Sequence, residues 1–273
     1  MSHFYERVLK DDIDYFKEIN KLVRLFEKEV IHTDVFYESV PIAKYINEVF
    51  FRKLDLSTNF VSLFDLLTEI KNEESIKCFI EYSELILSIS AQLINKEYYS
   101  RSDKDSVEEQ LLSIIKIIKY DLQKLNLEYQ FITNDAGRVA IILPKDAFVE
   151  SVLEDIGDQN ISKGIIEYKS TKMEGNVDGK EKLLYSFGKY IEPLLKNDDL
   201  KEKNKRLFDD VSFMLNNFDL RHNNKNVNEQ KYYHATLKDR EKWLDKLFAE
   251  ILLVIKSEKE SDIHKELSIL RKI

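Results

Sequence analysis

The residues of this chain best suited to reaction chemistry lie together in the run Asn216-Asn217-Phe218-Asp219-Leu220-Arg221-His222-Asn223-Asn224. An arginine grips a phosphate through paired N–H donors, and a histidine titrates near neutrality and can pass a proton. Side by side they supply what metal-independent phosphodiester cleavage requires. Read as helix, the run sets Asn217 one turn before Arg221 and Asp219 one turn before His222, close enough to orient the guanidinium and the imidazole. Phe218 extends the apolar stripe of Leu207, Val211, Met214 and Leu215, so helical spacing carries Arg221 and His222 along the same face toward a groove. The same residues also suit a plain helix end. Arg and His complement the negative pole of the helix dipole, and Asn accepts the left-handed conformation that closes a helix. Arg221 and His222 are the candidate catalytic pair, with Asn217, Asp219, Asn223 and Asn224 in supporting positions.

Other chemistries lack their motifs. The sequence has no glycine-rich phosphate loop, dinucleotide fingerprint, HExxH, GxSxG elbow or paired-cysteine zinc pattern. Its five histidines, His3, His32, His222, His234 and His264, are too scattered for a local metal cluster, so no metal and no cofactor are expected. The single cysteine, Cys78, falls in the apolar-periodic run Ile76–Ile80 and reads as a buried small hydrophobe. The tyrosines and phenylalanines, and Trp243 with them, read as core or interface filler at helical spacing, although such rings can also stack on bases. The run Lys201-Glu202-Lys203-Asn204-Lys205-Arg206 reads as a solvated helix start.

Positioning those groups falls to a chain of 273 residues, 43% hydrophobic and 34% charged, which is globular rather than disordered. Six glycines and three prolines argue against a glycine-punctuated α/β enzyme and make helix the default. The net charge of −8 repels nucleic acid and anionic membrane as a whole, so a polyanion site has to be local. Residues 196–256 carry thirteen basic and eleven acidic side chains, which makes that end the less repulsive one. With no signal-peptide order at the start and no apolar run near the ~18 residues of a membrane span, the expectation is a cytoplasmic protein without a membrane partner.

Apolar stripes at three- and four-residue steps run through Phe4–Val30, the stretch Val35–Leu56 with Pro41 suited to the first turn of its helix, Phe60–Ile70, Glu73–Tyr99 and Ser106–Leu125. Residues 1–126 therefore read as an N-terminal helical bundle. At Glu128 the period drops to two, and Tyr129–Ile132 and Val139–Leu143 flank the turn formers Thr133–Arg138, a β-hairpin that Pro144 ends. Such a ribbon is marginal alone and must lie on helices or meet a third strand. Asp146 can cap a short helix through Ile156, so residues 127–160 read as hairpin and connector. Residues 161–273 form the C-terminal unit, with helical patterns over Ile161–Met173, Asp178–Leu195, Lys201–Leu220 and Thr236–Lys256. A charged tail, Ser261–Ile273, follows as a short docked or frayed helix. The fold class expected is mainly α, helical bundles with one small β-hairpin.

The run Tyr185–Leu195, the helix ending in Leu215–Asn224, the polar connection and the closing helix around Glu241-Lys242-Trp243-Leu244 resemble the HEPN-type helical domains of bacterial abortive-infection and toxin–antitoxin proteins. The resemblance covers Ile161–Lys256. It implies an up-and-down four-helix bundle that forms a homodimer and joins two arginine–histidine motifs to cut RNA. In the family the arginine and histidine stand four to six positions apart, whereas here Arg221 and His222 are adjacent and His234 lies thirteen beyond Arg221. Arg221 matches the family arginine; His222 and His234 are alternative matches for the histidine. The resemblance implies a metal-independent endoribonuclease in bacterial phage defence. Because some members only bind or assemble, the alternative is a non-catalytic helical interaction module with a protein partner.

Overall fold

The computed structural model describes residues 14–27, 30–33, 38–41, 76–94, 101–134, 137–218, 220 and 235–270. It is mainly helical and divides into two compact units, Met1–Leu143 and Pro144–Ile273. The stretch 127–160 is shared between them. Leu127, Ala140 and Ile142 belong to the core of the first unit, whereas Val149, Val152 and Ile156 belong to that of the second.

In the first unit the described elements are α1 (Tyr15–Glu27), β1 (Val30–Thr33), β2 (Glu38–Pro41), α2 (Ile76–Ile94), α3 (Arg101–Lys124), β3 (Leu127–Asn134) and β4 (Gly137–Pro144). Helix α2 is buried nearly all round, as expected of a helix whose apolar residues do not confine themselves to one stripe. Phe79, Ile80, Ile86 and Leu87 from α2 meet Leu111, Ile114, Ile118 and Leu122 from the single apolar stripe of α3. Cys78 is buried in the same core.

The hairpin β3–β4 forms where the period falls to two, and it lies on helices as its marginal stability demands. An edge strand docked on a core leaves N–H groups that must find acceptors. Here α2 supplies them. Ser88 Oγ accepts from the Ala140 N–H at 2.9 Å, and Glu84 Oε1 accepts from the Ile142 N–H at 2.8 Å. One helical turn separates the two acceptors, which matches the two-residue step of outward N–H groups along β4.

A further antiparallel pair joins β1 to β2, with Val30 opposite Pro41 and Thr33 opposite Glu38. Pro41, expected in the first turn of a helix, instead ends β2. The strand terminus is a position where its missing N–H costs no ladder bond. The expected helices over Phe60–Ile70 and over the residues after Pro41, and the start of the first helix at Phe4, lie outside the described residues.

Asp121 of α3 is buried, and its pKa is raised to about 6. Burial contributes most and the negative charge of Glu18 on α1 comes next, with Lys21 and Lys124 opposing them. A carboxyl raised in the folded state binds its proton more tightly there than in the unfolded chain. Its contribution is therefore complete below pH 4 and lost as pH rises through 6. The melting midpoint of the first unit should fall between about pH 4 and 6, by an equivalent of about 1–3 kcal/mol. Asp121→Asn should flatten that profile, and thermal denaturation at stepped pH checks it. A wild-type profile without a fall in this window rules out the effect.

The second unit contains α4 (Ala147–Asp155), α5 (Gln159–Lys169), a 3₁₀ turn over Thr171–Met173, α6 (Val177–Leu195), α7 (Asp198–Lys203), α8 (Lys205–Asn217) and α9 (Leu237–Leu270). Side-chain caps start most of these helices. Asp146 accepts from Phe148 and Val149, Asp158 from Asn160 and Ile161, Asn176 from Gly179 and Asn197 from Leu200.

Helices α5, α6, α8 and α9 alternate in direction. Lys180 of α6 meets Glu241 and Asp245 of α9, and Phe187, two turns on, lies 5.9 Å from Phe248, so α6 and α9 run parallel. Gly164 of α5 packs on Phe187 while Tyr168 lies beside Lys180, so α5 runs the other way. Helix α8 returns from the end of α6 and brings Leu215 to Gly188. The result is the up-and-down arrangement expected for this unit.

Two helix boundaries differ from expectation. The pattern over Lys201–Leu220 is broken at Asn204, which closes α7 by donating its N–H to Leu200 and opens α8 by accepting from Phe208. Helix α9 runs on through the charged tail to Leu270. Around the break, Lys201 pairs with Asp209 and the almost wholly exposed Arg206 with Asp210, so this basic run is a solvated face.

A Cβ at Gly164 would stand 2.8 Å from Phe187 Cε1. That ring is hemmed by Tyr168 and Phe248, at 6.4 and 5.9 Å between centroids. Overpacking by one methyl costs about 1–3 kcal/mol and the helix gains about 1 kcal/mol from losing glycine. Gly164→Ala should thus lose up to about 2 kcal/mol. Urea unfolding followed by the fluorescence of Trp243, the only tryptophan, measures it in this unit. A stabilised variant would refute the tight fit.

Candidate functional site

The candidate segment begins at an anchored point. Helix α8 ends at Asn217, and Phe218 closes it with its N–H on the Met214 carbonyl at 2.9 Å. The Leu220 N–H then reaches the Leu215 carbonyl at 3.1 Å. Phe218 and Leu220 are both buried, and the Leu220 carbonyl oxygen lies 3.7 Å from where a Cβ on Gly188 would be. The tighter neighbour at position 188 is Leu215, whose Cδ2 would stand 3.1 Å from that Cβ, so the turn packs on α6 in ordinary contact while the Leu215 side chain fills the space a larger residue would take. Helix α8 thus ends three residues short of the expected Leu220, and the expected place of Arg221 and His222 on its apolar face lies outside the described residues.

Of the expected site residues, Asn217 is the described one. Its Nδ2 donates to the Phe213 carbonyl at 2.8 Å, one turn back along its own helix, so that proton is committed locally. Asp219, Arg221, His222, Asn223, Asn224 and the alternative His234 lie outside the described residues. On the far side of that segment, Thr236 opens α9. Its hydroxyl accepts from the Asp239 N–H at 3.2 Å and donates to Asp239 Oδ2 at 2.7 Å.

The described residues bring together a polar cluster that periodicity does not announce. Lys180, inside the apolar stripe of α6, is buried, and its Nζ donates to Glu241 Oε1 at 2.9 Å and to Asp245 Oδ1 at 2.7 Å. The Tyr168 hydroxyl donates to the same Asp245 oxygen at 3.0 Å, and the ammonium stands 5.5 Å from the Tyr168 ring centroid. The Gly175 N–H donates to Glu241 Oε1 at 2.7 Å. Gly175 has φ +74, the left-handed conformation that lets the turn before α6 deliver this donor. Next to the cluster, Arg240 of α9 pairs with Glu181 of α6.

The electrostatics follow from who faces whom. Burial pushes the Glu241 carboxyl up, but the Lys180 hydrogen bond, the Gly175 N–H and the Lys180 charge outweigh it and hold its pKa below the usual range. Glu174 goes the other way, raised by burial first and then by the negative charge of Glu241, against the pull of Lys180. Glu174 Oε2 is buried without a hydrogen-bond partner, in keeping with the desolvation that raises its pKa. An ammonium committed to two carboxylates holds helices in register. The cluster thus ties the first turns of α6 and α9 to the end of α5, and it fixes where α9 starts. The available sequence signal was a lysine at a stripe position between Val177 and Leu184.

The chain matches no family model, no curated protein and no solved structure. Among the described residues no helix is long and apolar enough to cross a membrane.

Proposed function

We propose that the second unit is a metal-independent endoribonuclease of HEPN type, of the kind used in bacterial defence or as a toxin, with Arg221 and His222 as its reactive pair. The observation that carries this reading is the anchored departure of the chain from Leu220. A buried residue tied to Leu215 and set against Gly188 immediately precedes Arg221, within a bundle of four helices of alternating direction. A side chain that must meet a phosphate gains from a backbone fixed at its neighbour.

In the proposed reaction a base removes the proton of an RNA 2′-hydroxyl, and the 2′-oxygen attacks the adjacent phosphorus. The bond to the 5′-oxygen breaks, and that oxygen takes a proton from the conjugate acid. Arg221 neutralises charge on the phosphoryl oxygens, and His222, paired with its copy in a homodimer, moves the protons.

The test is incubation of the purified chain with unstructured RNA in EDTA. Cleavage leaving 2′,3′-cyclic phosphate ends, by a species of dimeric mass in light scattering, is the expected result. Absence of cleavage under every condition returns the segment to a helix end and the chain to the interaction-module reading.

A further inference from the structure

Independently of the chemistry proposed for the second unit, we infer that the outward face of α3 in the first unit binds a single strand of nucleic acid through Lys116, Lys119, Tyr120 and Lys124. The inward side of this helix is set by its buried stripe of Ile114, Ile118 and Leu122. The other side carries Lys116, Lys119, Tyr120, Gln123 and Lys124, all exposed. Lys116, Tyr120 and Lys124 follow one another at four-residue steps and so form one row. The ring in the middle is 58% exposed, and Lys124 Nζ stands 4.4 Å from its centroid. A rise of about 1.5 Å per residue sets one lysine about 6 Å before Tyr120 along the helix and the other about 6 Å beyond it.

Lys119 joins this row to the hairpin. Its Nζ lies 5.5 Å from the Tyr129 centroid, Tyr129 meets Phe131 edge to face at 5.3 Å, and the Arg138 guanidinium stands 4.3 Å over the Phe131 ring. Tyr129 and Phe131 are half-buried against the core of the unit, so they hold two cations in place while Tyr120 is the ring that a base can reach.

The charge pattern selects the occupant. A helix face that meets only water intersperses its signs, as where Lys201 pairs with Asp209 and Arg206 with Asp210. Lys116 and Lys119 have no acidic residue three or four positions away on either side, and at a three-residue step they repel each other. Among the described residues, Lys116, Lys119 and Lys124 make no ion pair. Between positions 116 and 124 the one acid is Asp121, which is buried. The charges opposing a phosphate are Glu108 and Glu109, two turns before Lys116, and Glu128, which accepts from Gln130 Nε2 at 3.4 Å. In a chain of net charge −8, a row of cations with no acid between them draws a polyanion to that place. An exposed ring set among the cations takes the face of an unpaired base, which a duplex does not present. An anionic membrane would instead ask for a broad apolar set beside the lysines, and among the described residues of α3 Leu112 is the only exposed large aliphatic side chain.

The test titrates an end-labelled twelve-nucleotide oligodeoxythymidylate with the full chain at low salt, read by fluorescence anisotropy. This probe lacks the 2′-hydroxyl that the proposed cleavage needs, so binding is read apart from reaction. Saturable binding is expected, and a duplex of equal length should bind more weakly. Tyr120→Ala should weaken binding about fivefold or more, whereas Tyr120→Phe, which keeps the ring, should not. Lys116→Gln combined with Lys119→Gln should weaken it too and lower the slope of log K against log salt by about 1.4, the loss of two phosphate contacts. Lys203→Gln combined with Lys205→Gln changes the net charge equally and should leave affinity and slope as they were. No binding, equal binding by duplex, displacement of the probe by phosphatidylserine vesicles, or equal losses in the two lysine pairs overturns the inference. The Arg221→Ala chain should bind as wild type does. Probe binding without RNA cleavage keeps this face and removes the nuclease reading; cleavage without probe binding does the reverse.

Discussion

Arg221→Ala and His222→Ala should each lower RNA cleavage by about two orders of magnitude or more, the usual scale for losing an electrostatic or acid–base contributor in the transition state. The helical spectrum and melting point should stay near wild type. The anchoring of this turn resides in the Phe218 and Leu220 N–H bonds and the packing of their side chains, not in the two residues replaced. If His234 moves the proton in place of His222, His234→Ala carries the loss and His222→Ala does not. Single-turnover cleavage of a labelled RNA, with denaturation run in parallel, separates these outcomes. Substitutions that unfold the protein would show the segment to be structural.

The second large effect is on stability. Lys180→Met should cost the second unit about 2–4 kcal/mol, because it leaves Glu241 and Asp245 facing each other without the cation between them. The figure sits below that of a fully buried pair because the Asp245 side chain is 50% exposed and water screens it.

The pH dependence gives a second readout. Glu241 is held below its ordinary pKa of 4.5 in the folded state. Its pairing therefore contributes fully above that value and is lost as pH falls through the folded pKa. Wild type should lose stability on acidification below about pH 4.5, and Lys180→Met should lose much of that dependence. Urea unfolding followed by Trp243 fluorescence measures both. A variant within about 0.5 kcal/mol of wild type, the ordinary range for an inconsequential surface change, would mean the cluster does not hold the unit together.

Much of the architecture was legible in the sequence because its signals are short-range. The stripe Val107, Leu111, Ile114, Ile118 and Leu122 repeats within one helix, and the drop to a period of two over Glu128–Leu143 marks a ribbon whatever it packs on. Asp146 announces its helix through a bond to residues two and three positions on. The pair β1–β2 was not legible, since each strand spans four residues within a chain dominated by helical periodicity, too short for alternation to register.

The boundary of α8 was misjudged for a related reason. Phe218 fits the apolar stripe, yet the helix ends at Asn217 and the N–H of the buried Leu220 turns back to the Leu215 carbonyl. The Arg221–His222 run was visible as a pair of residue types. Its position relative to a helix face was not, because that depends on where the preceding helix lets go.

By itself, then, the sequence determined the helical class, the hairpin over Glu128–Leu143 and the identity of the candidate reactive residues, all of which depend on neighbours a few positions apart. Tertiary structure decided which distant polar groups meet. Lys180 finds Glu241 and Asp245 some sixty residues away, and Glu84 finds the Ile142 N–H. A buried charge or donor takes whichever partner the packed helices bring within hydrogen-bond reach. That selection follows from the direction and register of α6 against α9, and of α2 against β4, which no local period encodes.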